Sequence, residues 1–179
     1  MKKLLLLRHA DALPAEGGND IERKLSPKGL KDAYALGEEL NKKNLIPMRI
    51  ACSSAKRTQQ TCQEVLKGCG ENIHTEFSKM IYGASTGDLL NLIRNTDDTL
   101  QSLMIIGHNP TIYELAVHLA MRGNDMILNH LGQGYAPATL SVLDINIQQW
   151  AEINPEHCEI TALLDPLNYN APATPARWT

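Results

Sequence analysis

Aromatic side chains are scarce in this chain of 179 residues: they make up 4%, with a single phenylalanine and two tryptophans. A hydrophobic core here must rest on Leu, Ile, Val and Ala. An excess of one charge is also missing. Seventeen Lys and Arg stand against 20 Asp and Glu, a formal net charge of -3. That weak acidity excludes the basic footprint of a nucleic-acid binder or of a protein held on an anionic membrane. No apolar run approaches the ~20 residues of a membrane span. Met1-Lys2-Lys3 followed by four leucines is too short for a secretory leader, so a cytoplasmic location is expected. Cys52, Cys62, Cys69 and Cys158 form no C-x-x-C pair, which argues against a zinc knuckle or a thioredoxin-like site and for reduced, buried thiols. The histidines show no H-x-x-x-H spacing, and neither a metal nor an organic cofactor is expected.

What is present is an alternation of strand-like and helix-like segments. Leu4–Leu7, Met48–Cys52, Ile73–Phe77, Leu103–Ile106, Thr139–Ile145 and Glu159–Leu164 read as strands, the third of them at a sheet edge. Ser26-Pro27 reads as the cap and first position of a helix running to about Lys43. A second helix follows with Ser54 as its cap, ended by Gly68 and Gly70; a short third starts at Thr86; a fourth opens at Asn109-Pro110 and stops at Gly123. Residues 124–138 read as a mixed loop with at most a helical turn. The pattern predicts an α/β fold, three layers α/β/α around a mostly parallel sheet. One domain is expected over residues 1–165, followed by an irregular tail, 166–179, containing Pro166, Pro172 and Pro175.

Three strand ends carry polar residues of one chemical kind: Arg8-His9, then Ser53-Ser54-Ala55-Lys56-Arg57-Thr58, then Gly107-His108-Asn109-Pro110. In a parallel sheet these emerge along the same edge, where ligands of open α/β sheets bind. Two arginines and two histidines would then share one crevice, and an arginine fork beside an imidazole suits phosphate. Arg57 falls in the first turn of its helix, where a cation opposes the helix dipole; an anion between them removes the conflict. Each residue alone has a plainer reading: Arg8 as a surface arginine, His9 as a strand-end residue, Arg57 as a solvated helix residue, His108 as a neighbour of a cap. Their coincidence at three strand ends favours the shared site. Cys52 is no phosphatase nucleophile of the cysteine type, because Arg57 follows it by five positions instead of six and the loop lacks glycines.

These segments resemble the histidine phosphatase superfamily, whose fold is phosphoglycerate mutase-like. Leu7-Arg8-His9 is similar to its R-H signature, Ser53-Ser54-x-x-Arg57-x-x-x-Thr61 to its second segment, Gly107-His108-Asn109-Pro110 to its second-histidine motif, and Arg23-x-Leu25-Ser26-x-x-Gly29 to a further stretch. The short length and the opening Arg8-His9-Ala10-Asp11-Ala12 resemble the small phosphohistidine phosphatases of SixA type. The resemblance implies His9 as nucleophile, with Arg8, Arg57 and His108 on the phosphoryl oxygens, Asn109 and Arg23 as further binding residues, and no metal. It leaves the general acid open between Asp88 and Asp20, each with a plainer role at a helix start or in a loop. It implies as substrate a phosphorylated protein bearing phosphohistidine, such as a phosphotransfer domain, or a small phosphorylated molecule. Two rivals stand beside it: a broad phosphomonoesterase or mutase of the same superfamily, and a phosphoprotein-binding module without turnover.

Overall fold

Four consecutive leucines can be buried together in a strand only if both faces of its sheet are covered, because successive side chains point to opposite faces. That is the arrangement in the computed structural model, which describes residues 1–15 and 17–169. Strand β1 (Lys2–Arg8) places Leu4 and Leu6 in one core and Leu5 and Leu7 in the other, all four wholly buried. The remaining strands are β2 (Arg49–Ser53), β3 (Thr75–Ser78), β4 (Ser102–Gly107), β5 (Leu140–Ile145) and β6 (Cys158–Leu164). They form one sheet in the order β3-β2-β4-β1-β5-β6. β4 is parallel to β1 and β2, and β3 is parallel to β2; only β5 runs against its two neighbours. The sheet is thus mostly parallel, with β3 at its edge.

Helices α1 (Pro27–Lys42) and α2 (Lys56–Cys69) pack together, and their inner residues join one core. Helices α3 (Thr86–Arg94), α4 (Thr111–Leu119) and α5 (Asp125–Gly132) lie with the other. Ser26 caps α1 by accepting from the Gly29 N–H at 3.0 Å, with Pro27 at the first helical position. The crossing of α1 and α2 is closed by two glycines. A β-carbon on Gly37 would overlap the Val65 carbonyl oxygen, and one on Gly68 the Tyr34 carbonyl oxygen. Gly68 therefore does not end α2, contrary to the sequence expectation; close helix approach is its role. The end comes at Gly70, in the left-handed region at φ 70°.

Three further expectations are corrected. The cap position of α2 is Ala55, with no side-chain cap bond, and the Ser54 hydroxyl is buried instead. The segment 124–138 holds the two-turn helix α5, started by the Asn124 side chain accepting from the Met126 N–H at 2.8 Å. Its apolar stripe is too short to stand out in sequence. The tail begins as a short helix, α6 (Pro166–Tyr169), set by Asp165, whose side chain accepts from the N–H groups of Leu167 and Asn168. Pro172 and Pro175 lie outside the described residues. No described helix is long and apolar enough to cross a membrane.

Candidate active site

The register of the sheet brings the three polar strand ends level. Arg8 pairs with Gly107 across β1 and β4, while Cys52 and Ile106 pair across β2 and β4. His9 and His108 each stand one residue beyond their strands, and their ring centroids lie 5.3 Å apart. The backbone N–H of His9 donates to the Gly107 carbonyl at 3.0 Å. Arg57 enters from the first turn of α2. Its Nε lies 3.3 Å from His9 Nε2 and its Nη2 lies 3.2 Å from His108 Nδ1. Thr61, one turn further along, accepts from the Ala10 N–H at 3.0 Å and donates to the Arg57 carbonyl at 2.7 Å, which locks the helix to the residue after His9.

The ring protons follow from the partners. His9 Nδ1 lies 2.7 Å from the Ala10 carbonyl oxygen, which can only accept, so the proton sits on Nδ1. Nε2 keeps its lone pair and faces the Arg57 guanidinium. His108 is the mirror case. Arginine can only donate, so Nδ1 accepts from Arg57 and the Nε2 proton is given to the Ser53 hydroxyl at 2.8 Å. Burial, together with the charges of Arg57, Arg8 and Arg23 and only partly offset by the Ala10 bond, lowers His9 to about 4. Burial, with Arg57 and His9 nearby, lowers His108 to about 3. Both rings are neutral at pH 7, as a phosphoryl acceptor must be.

Arg8 is held from behind. Its Nη1 donates to the Tyr135 carbonyl at 2.7 Å, and the Asn109 side-chain amide donates to the same oxygen at 3.1 Å. Tyr135 is itself pinned by its buried hydroxyl, which donates to the Leu6 carbonyl of β1 at 2.6 Å. Arg8 Nε and Asn109 Oδ1 are buried without a partner among the described residues. An anion in the crevice would satisfy the former.

The two candidate acids separate. Asp88 is exposed and serves the capping box of α3, bonded to the N–H and hydroxyl of Ser85 at 2.8 and 2.7 Å. Asp20 lies in the cluster. Its Oδ2 accepts from Tyr82 Oη at 2.7 Å and from Arg57 Nη2 at 2.9 Å, and its Oδ1 from Arg23 Nη1 at 3.0 Å. These donors, Tyr82 first, hold the carboxyl well below the usual carboxylate range, so it is ionised and carries no proton to give. Of the residues singled out in the sequence, His9, Arg8, Arg57, His108, Asn109, Arg23 and Asp20 converge, and Asp88 does not. Sequence reading gave no role to Ser53, Thr61, Tyr82 or Tyr135. Ser53 and Thr61 lie inside a recognised motif, so their types were visible. Tyr82, whose ring meets His108 edge-on at 5.4 Å, carried no such signal.

Residues 4–88 match the histidine phosphatase superfamily, branch 1. The uncharacterized protein Rv1276c of Mycobacterium tuberculosis is 28% identical over 151 residues, covering 83% of this chain and 92% of that protein. Among solved structures, a protein from Agrobacterium tumefaciens assigned as the phosphohistidine phosphatase SixA is 27% identical. It superposes with a TM-score of 0.77, over 92% of this chain and 98% of its own. The protein histidine phosphatase SixA complexed with tungstate, 16% identical, shares the fold with a TM-score of 0.70 over 92% and 97% of the two chains.

Proposed function

The chain belongs to the histidine phosphatase superfamily, and from that premise we propose that it hydrolyses phosphohistidine on a protein through a phosphoryl group carried on His9. The observation that carries this reading is the state of the His9 ring: Nδ1–H fixed on the Ala10 carbonyl, Nε2 unprotonated and turned toward Arg57. In the proposed reaction Nε2 attacks phosphorus in line with the leaving group, the bond from phosphorus to the substrate nitrogen breaks, and the phosphoryl group passes to His9. Arg8 and Arg57 donate to its oxygens, and His108, fixed by Ser53 and accepting from Arg57, orients that guanidinium, with Asn109 fixing the Arg8 side and Arg23 at the mouth. Charge placement of this kind supplies most of the rate in phosphoryl transfer. Water then cleaves the phosphoramidate, returning His9 and releasing phosphate.

The state of the two carboxyl groups limits the leaving group. An alkoxide needs a proton as it departs. Asp88 is used up in a helix cap and Asp20 is ionised. Protonated phosphoimidazole needs no such donor, since it departs as neutral imidazole. Likeness to SixA phosphatases supports the same substrate class. The four cysteines are free and buried, which fits a reducing, cytoplasmic setting. A brief pulse with a labelled phosphohistidine protein should leave an acid-labile, alkali-stable adduct on the wild type and none on His9→Ala. The same substrate should be turned over far faster than simple sugar phosphates. Absence of both adduct and phosphate release would reduce the site to a binding module, and a preference for sugar phosphates would end the phosphohistidine reading.

A further inference from the structure

The phosphoryl-binding guanidinium is already occupied. Arg57 Nη2 donates to Asp20 Oδ2 at 2.9 Å and Nη1 to the Asp20 backbone carbonyl at 2.7 Å, so both ends of the fork meet the same residue. The carboxylate oxygen on Nη2 and a phosphoryl oxygen compete for the same guanidinium N–H, because both are anionic acceptors that an arginine takes in preference to neutral ones. The Arg57 side chain is 7% exposed and that of Asp20 45%, so the acid sits on the solvent side of the contact and can leave outward. The polypeptide bends just before it at Gly17 and Gly18, both in the left-handed region at φ 65° and 79°. Arg23 and Tyr82 hold the same carboxylate without touching His9 or His108 through any described hydrogen bond, so they can retain it after Arg57 lets go.

We propose that Asp20 is a specificity-determining internal competitor: it fills the anion position on Arg57 in the resting enzyme and yields it only to a dianionic phosphoryl group. This rests on the reading of Arg57 as a phosphoryl ligand. An anion must displace a tethered carboxylate, so its apparent affinity falls by the fraction of molecules in which Arg57 is free. Weak monoanions are excluded from His9. A phosphoryl group on a protein, with further contacts to draw on, displaces Asp20 more readily than free phosphate does. When the phosphoenzyme is hydrolysed, return of Asp20 helps to expel the product.

A purely structural role for Asp20, orienting Arg57, gives the opposite sign on mutation, which makes the test decisive. Calorimetric titration of inorganic phosphate should show binding roughly tenfold tighter in Asp20→Asn than in wild type, as expected if Arg57 is engaged in about nine molecules of ten. Product inhibition by phosphate should strengthen in parallel. Glu22→Gln removes an equal charge from the same turn and should change affinity less than about twofold; a gain equal to that of Asp20→Asn would make the effect one of net charge and overturn the proposal. Arg57→Ala separates the competitor role of Asp20 from the phosphoryl-binding role of Arg57. If Arg57→Ala loses phosphate binding while Asp20→Asn binds no tighter than wild type, the competitor idea fails and the functional reading stands. If Arg57→Ala binds phosphate like wild type, the functional reading fails and the competitor goes with it. Should Asp20→Asn unfold, Asp20→Ser takes its place: it removes the competing carboxylate and should tighten phosphate binding in the same direction, with no gain counting against the proposal.

Discussion

The side chains around His9 are individually ordinary, and their chemistry comes from the bonds behind them. Ser53 is the simplest case. It is wholly buried and accepts the His108 Nε2 proton, so it fixes which nitrogen of that ring faces Arg57. Ser53→Ala should lower kcat/KM on the proposed phosphohistidine substrate about five- to tenfold, the cost of roughly 1 kcal/mol of lost orientation, while leaving the unfolding temperature nearly unchanged. Steady-state kinetics beside thermal unfolding checks both halves. The reactive types in this cluster were legible in the sequence because each stands at the end of an apolar strand run, where polarity is unexpected. The residues that tune them were not. Tyr82 lies in an irregular stretch with no periodicity, and Tyr135 contributes through its backbone carbonyl, which no side-chain pattern can announce. Asp20 was visible as a candidate acid, but its ionised state depends on three donors that only the fold assembles.

Elements matter here through how closely they approach. Helix α2 delivers Arg57, and its position is set by the glycine contacts with α1 and by Thr61 against Ala10. Gly68→Ala should force the two helices apart and cost about 1–3 kcal/mol, read as a lower urea midpoint at unchanged slope. Catalysis should fall further than that loss alone requires, because Arg57 moves with the helix. Strands and long helices were readable from apolar periodicity and from Ser26-Pro27, which names its own helix start. Where reading failed, local signals had two meanings. Gly68 looks like a terminator in sequence and is a contact surface in space; Ser54 looks like a cap, yet the backbone turns one residue later. Helix α5 is short, and its Asn124 cap is indistinguishable from a loop asparagine until the following N–H groups are placed.

At the scale of the whole molecule, the crevice trades stability for function. His9 and His108 are held neutral, lowered to about 4 and about 3, whereas in the unfolded chain they titrate near 6.5. Below pH 6.5 the unfolded chain therefore binds more protons than the folded one, and stability must fall as pH drops from 6.5 toward 4. Above 6.5 neither state is protonated at these rings and the effect vanishes. The expected loss, read from denaturant unfolding at pH 7 and pH 4.5, is on the order of a few kcal/mol, discounted for the partial exposure of both rings. Replacing His108 by Gln should flatten that slope. The central place of β1 has a different kind of consequence, one for synthesis. Its leucines are made well before the strands that flank them, β4 and β5, which lie roughly a hundred or more positions later. A growing polypeptide leaving the ribosome thus exposes its greasiest stretch with nothing to cover it. The sheet, and with it the pocket around His9, closes only when translation has passed β5, and until then those leucines must be kept from sticking.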